Sequence, residues 1–126
     1  MATRAEVLSH ITGKYITEHL GVLDSGMEMI MMGWNFEDGR SHRVWIGVNN
    51  SHLLVMSPFA RQEQITAEKA LTQTTDFGVS LAFGSYCLTD VVPLENVDAN
   101  EIEVALEIMP ALADEMEKKF GLGDTL

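Results

Sequence analysis

The chain has 126 residues, 46% of them hydrophobic and 21% charged, with 19 acidic residues against 8 Lys and Arg and a formal net charge of -11. That is the size of one domain, 1–126, able to bury a single contiguous core without disulfides or a structural metal. The scattered basic residues argue against nucleic acid or an anionic membrane as partner, and the apolar runs fall short of the ~20 residues of a bilayer span. The polar, acid-bearing start has no signal-peptide pattern, so a cytoplasmic protein is expected.

Thr3 and Glu6 stand at capping-box spacing and predict a helix whose apolar stripe is Val7, Leu8, Ile11, Tyr15 and Leu20, closed by Gly21. Gly13 weakens its middle by about 1 kcal/mol relative to Ala. From Met27 to Phe59 the sequence reads as three strands, rich in Val, Ile, Trp and Phe. Asp38-Gly39 suits a two-residue type I′ turn, and Asn49-Asn50 gives a weaker signal of the same kind. On that register Trp34 lies opposite Arg43 and Met32 opposite Trp45. Alternation then places Met29, Met31, Val44, Ile46, Val48, Leu53 and Val55 on one face. The other receives Ile30, Met32, Trp34, Phe36, Arg43, Trp45, Leu54 and Met56. Both faces are apolar, so both need cover.

Pro58 is expected to end the third strand. Thr66 then caps a short helix through Ala67, Ala70 and Leu71 towards Phe77, with Gly78 closing it. Val79–Phe83 and Tyr86–Val92 form a second hairpin about a Gly84-Ser85 turn. The last segment is the clearest helix: Asp98 and Glu101 at capping-box spacing, then a stripe of Ile102, Ala105, Leu106, Met109, Leu112, Ala113, Met116 and Phe120. Glu103, Glu107, Asp114 and Glu117 lie off that stripe, on the side expected to face solvent. Pro110 predicts a bend near 106–110, and Gly121 the stop. The order is helix, three strands, helix, two strands, helix: an α+β fold with helices packed on a mostly antiparallel sheet.

No catalytic, metal or cofactor site assembles from the sequence. His10, His19, His42 and His52 make no H-x-x-H or H-x-x-x-H pair, and solvent-facing or edge positions are expected for them. Cys87, the single cysteine, reads as a buried small hydrophobe. Glycines 33, 39 and 47 are isolated, without phosphate-loop spacing. The expectation is a protein that is not an enzyme and carries no cofactor. What remains is surface: Met32, Trp34, Phe36, Arg43 and Trp45, with Arg43 placed to stack on Trp34, combine the aromatic, Arg and Met side chains enriched at protein interfaces. Eight Met in the chain, several within 27–32, add a deformable apolar lining.

The opening helix, the run Trp45-Ile46-Gly47-Val48-Asn49-Asn50-Ser51-His52-Leu53-Leu54-Val55-Met56-Ser57-Pro58-Phe59-Ala60, and Val92 to Asp98 leading into a helix that contains Ala113-Asp114 carry a resemblance. Over nearly its whole length the chain resembles the type III secretion chaperone-like fold, and in particular the YbjN-like family. The resemblance implies a bacterial cytoplasmic protein without catalysis, often a homodimer, and either a chaperone-like holder of an extended client or a regulator. The expected function is a non-enzymatic, protein-binding domain that holds a partner segment on an apolar sheet face or dimer edge. The alternative is a sensory or regulatory domain with a small ligand between sheet and helices.

Overall fold

A computed structural model, describing residues 2–36, 39–72 and 77–122, places the elements in the order α1 (Arg4–Lys14), β1 (Thr17–Val22), β2 (Glu28–Asn35), β3 (Ser41–Val48), β4 (His52–Arg61), α2 (Ala67–Leu71), β5 (Gly78–Ala82) and β6 (Ser85–Pro93). A 3-10 turn at Leu94–Asn96 and the long helix α3 (Ala99–Lys119) follow. The strands form one antiparallel sheet in the spatial order β1-β2-β3-β4-β6-β5. The class is α+β, with one strand more than the sequence predicts. No described helix is long and apolar enough to cross a membrane.

The helix starts fall where the caps predict them. Thr3 and Glu6 close a reciprocal capping box on α1, Thr66 accepts from the Lys69 amide, and Asp98 accepts from the Glu101 amide. The end of α1 does not. It stops at Lys14 rather than running to Leu20, and Thr17–Val22 becomes an edge strand against β2. Gly13 weakens the last turn, and β-branched Ile16 and Thr17 gain more from a strand than from a helix. Tyr15 and Leu20 fit a helical spacing by coincidence, and Leu20 is exposed. The span of α2 matches its cap, residues 73–76 of the predicted helix lie outside the described residues, and Gly78 opens β5 instead of closing a helix.

Two turns shift the predicted register. In the β2–β3 hairpin Asn35 pairs with Ser41 and Phe36 bonds Arg40, so three residues rather than two separate the last bonded pair. Asp38 of the predicted turn lies outside the described residues; Gly39, at φ 87°, holds the left-handed position that a three-residue loop reserves for glycine. Trp34 therefore faces His42, Met32 faces Val44, and Trp45 faces Met31. At Asn49-Asn50 the ladder closes on Val48–Leu53, because the Asn49 side chain accepts the Ser51 and His52 amides at 2.8 and 2.7 Å and extends the loop. The last hairpin turns on Phe83-Gly84, both at positive φ, rather than on Gly84-Ser85.

β4 continues through Pro58 to Arg61. Its ladder with β3 ends at Trp45–Met56, so the missing Pro58 amide leaves no broken bond on that side, and a bulge between Pro58 and Ala60 lets both Phe59 and Ala60 enter the core. α3 lies across β3, β4 and β6, with α1 beside it over β3. Their shared core takes Val7 and Ile11 from α1, Ile30, Met32, Val44, Ile46, Leu53, Val55 and Leu88 from the sheet, and Ile102, Leu106, Met109 and Ala113 from α3. A one-residue change of register moves one strand's whole side-chain set to the other face. That is why β2 joins β3 and β4 in a different partition from the one its turn predicts.

Candidate functional site

The five residues predicted to form one binding face are divided between two. Met32 is fully buried on the helix-covered side. Trp34 lies half-buried on that same side, tilted against Tyr15 at 6.3 Å, and Phe36 presents an edge to His42 at 6.5 Å. Arg43 and Trp45 point to the opposite face, so Arg43 does not stack on Trp34. Strand alternation after the shifted turn separates them.

The opposite face carries its own small apolar cluster. Met29, Met56 and Cys87 are buried beneath Met27, Trp45, Leu54 and Ala82, and no described helix contributes to it. The cover is one side chain thick. A Cβ on Gly47 would meet the Met27 Sδ at 2.5 Å and the Met29 Sδ at 3.0 Å, so the missing side chain is what lets these thioethers lie flat over β3. Trp45 meets Phe83 edge to face, with ring centroids 4.8 Å apart. Phe83 is 62% exposed and sits at φ 52° in the β5–β6 turn. A left-handed conformation costs a non-glycine residue roughly 1–2 kcal/mol, and a bulky aromatic is among the rarest residues there. The two-residue turn requires positive φ at both Phe83 and Gly84, so the hairpin itself imposes this strain.

Cys87 is buried as the sequence suggests, and burial pushes its thiol up to about 12 from an ordinary value of 9.0. The folded state thus favours the protonated thiol, and the stability this gives is complete below pH 9 and lost as pH rises towards 12. Native Cys87 is expected to resist iodoacetamide at pH 8 and to react promptly in denaturant. Mass spectrometry of the labelled chain measures this, and rapid native labelling would show a thiolate or an open face.

Across the sheet lies a group of charges that the sequence reading does not bring together. Arg40, just before β3, directs its Nε to the Asp114 Oδ1 at 2.5 Å and its Nη2 to the Glu117 Oε2 at 3.0 Å. His42 is fully buried; its Nε2 bonds the Pro58 carbonyl, and its Nδ1 lies 3.7 Å from the Glu117 Oε2. Lys118 reaches the other Asp114 oxygen at 3.2 Å. Both acids were expected on the solvent side of α3, and His42 at an exposed edge. Instead Asp114 and Glu117 are buried, because each follows directly on a stripe residue, Ala113 or Met116, and shares the shoulder of the packed face. The hydrogen bond to Asp114, above all, holds the Arg40 guanidinium above its ordinary pKa and therefore charged.

His42, Asp114 and Glu117 each bring a ligating atom within 4.8 Å of the others, and these are the residues that could hold a metal ion. The Arg40 fork already donates to both carboxylates and supplies the positive charge an ion would bring. The arrangement is thus suited to tying α3 to the end of the sheet where β3 and β4 separate, with His42 filling the gap. Ser57, fully buried nearby on β4, has no hydrogen-bond partner for its hydroxyl among the described residues. No family model, curated protein or solved structure matches the chain.

Proposed function

We propose that the protein is a non-enzymatic binding domain that holds a segment of a partner protein on the open face of its sheet, with Trp45 and Phe83 as aromatic anchors. One observation carries the reading: the second sheet face has a methionine and aromatic cluster covered by its own side chains, with no described helix over it. Methionine adapts to varied apolar shapes, and a rigid aromatic pair supplies contact area at small entropic cost. The chain's charge of -11 favours a segment whose apolar side chains are flanked by Lys or Arg. A second copy, as in the expected homodimer, is the competing occupant and brings the same repelling charge. Kinship with the type III secretion chaperone-like fold and the YbjN-like family belongs to this proposal, on the order of elements; so does a cytoplasmic location.

Phe83→Gly is the sharpest test. It releases the backbone strain while losing an edge-to-face contact of about 0.5–1.5 kcal/mol, so the fold is expected to stay within about 1 kcal/mol of the parent. Capture from the cytoplasm of the source cell should yield one dominant partner with the parent chain, at least tenfold less with Phe83→Gly, and an unchanged amount with Glu63→Gln. Equal recovery by parent and Phe83→Gly, or recovery of the chain alone, would overturn the reading.

A further inference from the structure

The helix layer does not span the sheet. α1 and α3 take the β3, β4 and β6 side, and α2 is a single short turn. Between α3 and the outer strands this leaves a groove of ≈ 290 Å³, with Phe77, Val92, Val104 and Ile108 on its walls. Val104 and Ile108, one turn apart on α3, are each 42% exposed.

Two carboxylates edge this apolar trough. Asp90 points from β6 to the helix side, opposite Val55, where its neighbours two positions away are Leu88 and Val92. Glu101 stands one turn before Val104. Neither side chain makes a hydrogen bond or ion pair among the described residues, and no Lys or Arg lines the groove. Asp90 is half-buried and Glu101 exposed, and acids beside apolar walls lined by no Lys or Arg complement an apolar segment that carries a cation.

We infer that this groove is a second docking site, taking an amphipathic helix of a partner protein whose apolar face is flanked by Lys or Arg. The occupant completes the helix layer beside α3: its apolar side chains enter between Phe77, Val104 and Ile108, and its cations meet Asp90 and Glu101. The acidic helices of a second copy would set like charges against these acids. The inference is independent of the open face, which lies on the other side of the sheet.

The probe is an acetylated, amidated Leu/Lys amphipathic peptide of about 18 residues, five helical turns, with a Leu/Glu peptide of the same pattern as control. Both are titrated into the full chain and followed by amide NMR shifts. The Leu/Lys peptide should move Val92, Val104 and Ile108, bind at least tenfold tighter than the Leu/Glu peptide, and lose affinity about fivefold with Asp90→Asn and tenfold or more with Ile108→Asp. Both variants alter exposed or half-exposed side chains, and thermal melts check that they remain folded. Phe83→Gly should leave this binding unchanged. Shifts centred on Trp45 and Phe83, equal affinity for the two peptides, or full binding by folded Ile108→Asp would each overturn the inference.

Discussion

Arg40→Met is expected to destabilise the fold by about 3–5 kcal/mol, a fall of roughly 10–20 °C in Tm for a chain of this size. The methylene stem survives in Met, so the loss isolates the guanidinium. Without it Asp114 and Glu117, 5% and 0% exposed, lose a charge-assisted partner from 2.5 and 3.0 Å. Asp114 keeps Lys118 at 3.2 Å, but a buried acid that loses its strongest partner costs far more than the intact pair is favourable. Adding Asp114→Asn and Glu117→Gln to Arg40→Met removes the stranded charges and should recover at least half of the deficit, although each acid substitution alone is destabilising. Chemical denaturation of the single, double and triple variants measures the coupling. Independent, additive losses would mean that the three side chains do not act as one cluster.

Aromatic truncation on the two sheet faces should give unequal results. Phe59 is fully buried under α3 and stacks on Phe120 at 6.1 Å, so Phe59→Ala leaves a cavity that a rigid helix cannot fill and should cost about 3–5 kcal/mol. Trp45 is the larger side chain, but it is half-buried on a face covered by thioethers that can move into the space. Trp45→Ala is therefore expected to cost about 1–2 kcal/mol, less than its size suggests. Differential scanning calorimetry of both variants decides the matter. An equal loss would make the Trp45 cluster a second rigid core and would remove it as a yielding surface for a partner.

Most of the fold is legible because local rules govern it. Thr3, Thr66 and Asp98 name three helix starts correctly, and the α3 stripe from Ile102 to Met116 is buried as its period requires, Leu112 only in part. What escapes is decided by small geometric increments. A loop of three residues instead of two before Arg40 separates Trp34 from Trp45, and the Asn49 side chain lengthens the next loop. No composition or period reports either. The charge cluster is hidden for another reason: Arg40 lies 74 and 77 residues from Asp114 and Glu117 in the chain, and only the crossing of α3 over β3 joins them. Its faint trace is that both acids directly follow residues of the apolar stripe. Phe83 is expected to end a strand but lies in the turn, because Phe83-Gly84 rather than Gly84-Ser85 takes the two positive-φ positions.

The strand order has a consequence for synthesis on the ribosome. From β1 to β4 every strand pairs with its predecessor, so that meander can close from contacts near in the chain as it emerges. The β5–β6 hairpin then adds to β4, and α3 emerges last. Until it does, the apolar side bound for α3 is bare, whereas Met29, Met56 and Cys87 can already be covered by residues of the sheet itself. The nascent chain is thus most prone to misassociation late, in the interval before Arg40 can engage Asp114 and Glu117. Truncations that remove those acids should accumulate as aggregates rather than as soluble intermediates.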